Sequence, residues 1–212
     1  MILLSTAYFP NIQYFSKIEN YTDILIEQHE NYVKKSFRNR CEILAANGKL
    51  ALSVPIEKST AEKIKITDVK IDYSENWQKN HLKALESAYA LSPFYEFYID
   101  DLIPIFEKKY EYLFDLNIDI LKTVFDIIGI KKQIKLTDSF IEIDEQNQND
   151  FRFSIHPKKQ MQKLDNKFVA KKYIQTFSDK FEFIPNLSIL DLIFNLGSES
   201  LEYLHKIKAK LQ

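Results

Sequence analysis

The sequence predicts an α/β fold built on an N-terminal βαβ unit with a mixed sheet and a β-hairpin, followed by a mostly helical C-terminal half. Three observations carry this. Two short apolar runs, at residues 2–7 and 23–27, bracket a stretch with Ile12, Phe15 and Ile18 at helical spacing. An Asn47-Gly48 pair separates two alternating apolar segments. From Trp77 onward the apolar positions recur every three or four residues. A chain of 212 residues, 45% of them hydrophobic, can bury one sizeable core. One domain over 1–212 is expected, its α/β core in about residues 1–75 and its helical part in about 75–212.

In chain order, Ile2–Ala7 reads as a buried strand, and Pro10 suits the first turn of the helix that follows, where its missing N–H costs nothing. Asp23–Glu27 completes the parallel crossover unit. Cys41 and Ile43 on one side of Asn47-Gly48, and Leu50, Leu52, Val54 and Ile56 on the other, form the hairpin, because both turn positions need positive φ. Ile64, Ile66, Val69, Ile71 and Tyr73 continue the strand pattern with a phase slip at Thr67-Asp68 that reads as a bulge or a turn. Ser74 is the expected N-cap of a helix carrying Trp77, His81, Leu85 and Ala88 on one stripe. A second helical stretch, Phe94–Tyr110, is expected to kink or split at Pro104, and a third, Leu116–Ile128, to end at Gly129. Gln133–Leu136 reads as one more strand and Glu142–Asp150 as a mobile loop. A short apolar helix, Ile189–Leu196, ends at Gly197, and an amphipathic helix runs from Ser198 to Leu211.

Composition excludes several classes. The net charge of -1 gives no global basic field, so nucleic acid is not an expected partner. A single cysteine, Cys41, rules out an intrachain disulfide framework and a thiolate-rich zinc site, and points to a reducing, cytoplasmic compartment. The opening Met1-Ile2-Leu3-Leu4 run lacks a basic leader, and no apolar stretch reaches the roughly 20 residues of a membrane span. Only three glycines occur, far apart, so neither a P-loop nor a dinucleotide fingerprint can form, and side chains must hold any nucleotide. No metal is expected, for no H-x₃-H, C-x₂-C or D-x-D spacing occurs and Asp100-Asp101 reads as a solvated pair.

Chemistry concentrates in Gln28–Cys41, which leaves the second predicted strand and enters the hairpin. Tyr8-Phe9 and Gln28-His29-Glu30 would emerge at the carboxyl edge of the sheet, where open α/β folds place ligands. His29 and Glu30 are the candidate catalytic pair, a general base with its orienting carboxylate. Tyr8, Phe9, Lys34, Ser36, Arg38, Asn39 and Arg40 are candidates for substrate binding. Guanidinium forks grip phosphate or carboxylate bidentately, and Arg38 and Arg40 share a parity if the segment is extended. Against this stand plainer roles: a solvated hairpin face for the cations, turn-closing for Ser36 and Asn39, and core packing for Tyr8, Phe9 and Cys41. His81 reads as a partly buried, hydrogen-bonded ring, His156 as either a phosphate neighbour of Lys158 and Lys159 or a plain loop residue, and His205 as exposed and without function.

Tyr8-Phe9-Pro10 followed by Tyr14-Phe15, and later Lys34-Lys35-Ser36-Phe37-Arg38-Asn39-Arg40, resemble the signatures of the WbqC-like family. Leu52-Ser53-Val54-Pro55, the Trp77 helix and Ser92-Pro93-Phe94-Tyr95 extend the match. Gln13 stands where many relatives have glycine, and Ile155–Lys159 lacks a glycine-bearing segment found in others. The resemblance implies a bacterial cytoplasmic protein of O-antigen or other surface-polysaccharide biosynthesis. The expected function is a glycosyl or acyl/aminoacyl transferase using a small-molecule donor, a sugar nucleotide or an acyl-CoA type, with the cofactor and oligomeric state open. The alternative is a non-catalytic scaffold docking an acidic partner.

Overall fold

The computed structural model describes the chain apart from residues 145–146, 159–164, 166–167 and 208–212. Strand β1 (Ile2–Ser5), helix α1 (Ile12–Asn20) and strand β2 (Ile24–Glu27) form the expected βαβ unit, with β1 and β2 paired in parallel from Ile2–Ile24 to Ser5–Glu27. Asn11 caps α1 by accepting from the Tyr14 N–H. The helix is buried on every side, Lys17 and Glu19 included, as suits a helix wrapped by later parts of the chain. Lys17 meets Asp165 at 2.6 Å, and Glu19 meets His205 at 2.8 Å.

Strands β3 (Arg40–Ala45) and β4 (Gly48–Ser53) make the antiparallel hairpin, but Ala46-Asn47 form its turn, and of the Asn47-Gly48 pair only Gly48, paired with Ala45, has the expected positive φ, at +103°. Parallel and antiparallel pairing both occur as expected, but in two sheets: the hairpin stands alone, while β5 (Ile134–Leu136) adds to β2 in parallel to give the order β1-β2-β5. On the free side of β1, the segment after residue 148 bonds in parallel register, the Phe151 N–H donating to the Leu3 carbonyl at 2.9 Å. The expected strand pattern of Ile64–Tyr73 is replaced by a single turn of 3-10 helix, Ile66–Asp68, and isolated bridges. These apolar residues reach the core through that turn, with Ile66, Val69 and Ile71 buried.

Three further differences concern the helical half. Helix α2 (Trp77–Tyr89) is capped by Asn76, whose side chain accepts from the Lys79 N–H, and not by Ser74. Helix α3 (Tyr95–Glu107) runs unbroken through Pro104, which stands in its last turn. Helix α4 starts at Leu113, earlier than expected, and ends at Ile128, where Gly129 at φ +78° caps it. Helices α5 (Ile189–Leu196) and α6 (Ser200–Lys206) close the chain; the expected extension to Leu211 falls outside the described residues. The hairpin packs on α2 and α5, and α1 on α5 and α6, so one core unites both halves. Among the described residues no helix is long and apolar enough to cross a membrane.

Candidate functional site

The parallel sheet ends at Ser5 and Glu27, and five charged side chains converge beyond that edge. Glu27 is fully buried and saturated, accepting from the His29 N–H and Thr137 Oγ1 at 2.8 Å each, from the Ile141 N–H at 2.9 Å and from Arg152 Nη1 at 3.1 Å. Arg152, almost wholly buried, spends Nε and Nη2 on Asp150 and donates Nη1 also to the Ile141 carbonyl at 2.7 Å. Arg38 donates Nε to Glu30 Oε1 at 2.8 Å and Nη2 to Glu30 Oε2 and to Ser5 Oγ. Burial pushes the Glu30 carboxyl above its usual range, against the downward pull of Arg38. The Phe153 ring lies between the two guanidiniums, 5.5 Å from Arg38 Cζ and 5.8 Å from Arg152 Cζ.

Beside this cluster is a cavity of about 20 Å³, room for one water, lined by Ser5, Thr6, Asn11, Tyr14, Arg38 and Arg152 among others. Thr6 is 2% exposed, and its Oγ1 has no hydrogen-bond partner among the described residues. The turn leading in is strained: Phe9 holds φ +37°, which a bulky residue rarely adopts.

The expected site residues separate into groups. Tyr8 and Phe9 are fully buried and do not line the cavity; Tyr8 donates its hydroxyl to His81 Nδ1 at 2.8 Å, and Phe9 stacks on Phe106. His29 is half-buried, and its Nε2 lies 3.0 Å from the Thr137 carbonyl. A ring nitrogen facing a carbonyl must carry the proton, which leaves Nδ1 as the acceptor. The orienting group is thus a carbonyl from the end of β5, since Glu30 is held by Arg38 and Ser5. Ser36 and Asn39 close the turn, Ser36 donating to the Val33 carbonyl at 2.6 Å and Asn39 to the Val54 carbonyl at 2.8 Å. Lys34 and Lys35 are exposed, the latter at φ +59°. Cys41 is buried, and burial pushes its thiol well up, the state of a core residue. Among the described residues no three His, Cys, Asp or Glu side chains are placed to hold a metal ion.

Arg40 differs from the other two arginines. Its Nε is buried and unbonded, and among the described residues it makes no ion pair. Arg38 and Arg40 both act electrostatically on Tyr32 and on His156, a buried ring from the segment beyond Arg152. Sequence reasoning missed Glu27, Ser5, Thr6, Asp150 and Arg152. One signal was available: a chain with 29 basic residues has only three arginines, and two of them, Arg38 and Arg152, meet here.

The opening turn and the Ser36–Arg40 turn lie within one matched region: residues 6–182 match the WbqC-like protein family. The chain belongs to that family. The chain is also similar to the uncharacterized protein Rv1507c of Mycobacterium tuberculosis (strain ATCC 25618 / H37Rv), 24% identical over 95% of this chain and 96% of that protein. No solved structure matches this WbqC-like chain.

Proposed function

We propose that this WbqC-like protein is a cytoplasmic transferase of bacterial surface-polysaccharide biosynthesis whose donor carries a diphosphate. The observation that supports it is Arg40, a guanidinium at the start of β3 with a buried, unbonded Nε and no carboxylate partner among the described residues, two residues on from Arg38, which bonds to Ser5 at the end of β1. Sugar nucleotides and coenzyme A share the diphosphate, so both glycosyl and acyl donors fit that group. In this reading His29 Nδ1 takes the proton of an acceptor hydroxyl or amine, oriented by the Thr137 carbonyl. The acceptor atom bonds to the transferred carbon while the bond from that carbon to phosphate oxygen or thioester sulfur breaks. The leaving group keeps the bonding electrons and departs as nucleoside diphosphate or coenzyme A. Glu30 and Arg38 hold the turn that presents Arg40.

The test is thermal shift of the purified protein with sugar nucleotides, acyl-coenzyme A species and simple polyanions. Ligand at about a hundred times its dissociation constant stabilises the fold by about 2.7 kcal/mol. Stabilisation by one donor class, lost in Arg40→Ala, supports a transferase; His29→Ala then lowers turnover and leaves donor binding unchanged. The exposed Lys34, Lys35 and Lys158 favour a second reading, a non-catalytic module docking an acidic partner. Polyanions alone would then stabilise, and Lys34→Ala with Lys35→Ala would remove the effect.

A further inference from the structure

Residues 172–183 line a trough of about 620 Å³, within the span of about 300–1,000 Å³ usual for small-molecule sites. One side chain closes the segment on itself. Gln175 accepts from the Ile184 N–H at 2.9 Å and donates Nε2 to the Ile184 carbonyl at 3.0 Å, so its carboxamide pairs with that backbone as a neighbouring strand would. The same Nε2 lies 2.9 Å from Asp191, and the Tyr173 hydroxyl donates to that carboxylate as well. Asp191 is fully buried on α5, so two residues of the lining are fixed to the core.

The lining presents two kinds of surface. Tyr173, Phe181 and Phe183 are half-buried and supply aromatic faces, the Tyr173 and Phe183 rings meeting edge to face at 5.2 Å. Ile174, 79% exposed, adds an aliphatic side chain. Lys172, Asp179, Lys180 and Glu182 are exposed, and none of them makes an ion pair among the described residues. Lys180 lies instead over the Phe177 ring, its Nζ 5.7 Å from the ring centre. Two ammonium groups and two carboxylates balance, so the trough favours neither sign of charge in a ligand. Together they hold both hydrogen-bond donors and acceptors. A neutral polyhydroxylated molecule matches both surfaces: its hydroxyls donate to carboxylates and accept from ammonium groups, while the C–H face of a sugar ring lies on an aromatic face. A nucleotide would bring a net negative charge that this lining does not complement. Most of the lining is open to solvent, so a sugar ring bound here can carry further rings outside the trough.

We propose that this trough is a carbohydrate-binding site for a neutral oligosaccharide, with Tyr173 and Phe181 against its sugar rings and Lys172, Asp179 and Glu182 on its hydroxyls. None of His29, Arg38 and Arg40 lines it, so the site goes beyond the donor reading and does not depend on it.

The experiment follows the backbone amide signals of the full chain by NMR during titration with neutral trisaccharides of hexose, deoxyhexose and N-acetylhexosamine units, and separately with inorganic pyrophosphate and an acidic peptide. At least one trisaccharide is expected to shift the amides of residues 172–183, with an affinity that salt does not change, because the ligand carries no charge. Phe181→Leu is expected to weaken that binding about tenfold by removing a ring face. Asp179→Asn combined with Glu182→Gln is expected to weaken it about tenfold by replacing charged acceptors. Pyrophosphate binding, and its loss in Arg40→Ala, bears on the donor reading alone. No shift with any trisaccharide, shifts confined to residues outside 172–183, or wild-type affinity in both variants each overturns the proposal. Shifts of these amides by the acidic peptide and by no trisaccharide would mark a protein-docking surface and overturn it too. Should Phe181→Leu not fold, Ile174→Arg places a long side chain across the trough from a position already in solvent. Trisaccharide binding is expected to be lost in that variant, and retained binding overturns the proposal.

Discussion

Arg38 gives Nε and Nη2 to Glu30 and Ser5, whereas Arg40, two residues on, gives its guanidinium to no carboxylate among the described residues. Removing Arg38 strands a buried carboxylate, so Arg38→Ala is expected to cost about 3–5 kcal/mol of stability, read as a fall in the urea midpoint. Arg40→Ala is expected to hold stability within about 0.5 kcal/mol while losing diphosphate binding. His81 makes a second contrast. Burial pushes its pKa down to about 4 although the Ser53 backbone bond pulls upward, and Tyr8 donates to its Nδ1. The folded state disfavours the proton that the unfolded chain takes up below about pH 6.5. Its contribution is therefore complete above that pH and is lost as pH falls toward 4, about 3 kcal/mol in all. Melting temperature measured from pH 7 to 4 should fall less steeply in His81→Leu than in wild type.

The ends of the helices show how far a local signal reaches. Gly129 and Gly197 both read as stops after an apolar run, and both have positive φ, +78° and +54°. A Cβ on Gly129 would meet nothing, while one on Gly197 would lie 2.5 Å from the Phe94 ring. Gly129→Ala is expected to cost about 1 kcal/mol, the conformational term alone. Gly197→Ala adds overpacking and should cost about 2–4 kcal/mol. Paired thermal melts check the difference. The sequence pattern made the two stops look alike because a positive-φ position is a local property, whereas the closeness of Phe94 comes from α3 packing on α5. Asn76 in place of Ser74 as the cap of α2 teaches the same lesson, since either side chain can accept the bond and the backbone path chooses.

At the scale of the whole molecule, Arg152 ties the end of β2 to the segment that flanks β1, through Glu27, Asp150 and the Ile141 carbonyl. Arg152→Ala leaves Glu27 and Asp150 buried without their cation. A loss of about 3–5 kcal/mol follows, roughly 10 °C or more in melting temperature for a chain of this size. Asp191 fastens the other end. It lies fully buried on α5 and accepts from Tyr89, Tyr173 and Gln175, so three elements share one carboxylate. Burial raises its pKa while those three donors oppose the shift.

The βαβ unit, the Asn47-Gly48 hairpin and the stops at Gly129 and Gly197 were legible from residue order alone, because periodicity and turn chemistry act over a few neighbours. His29, Glu30, Arg38 and Arg40 also stand within one short stretch after β2. Tertiary structure decided which of these stay available. It spent Glu30 on Arg38, buried Tyr8 and Phe9, oriented His29 with a carbonyl more than a hundred residues away, and brought Arg152 to Glu27 at the same edge. An apolar pattern records that a face is buried and not what covers it, and a charged residue does not announce its distant partner. The separation of the hairpin from the parallel sheet, and the pairing of β5 and residue 150 with β2 and β1, belong to that same long-range packing.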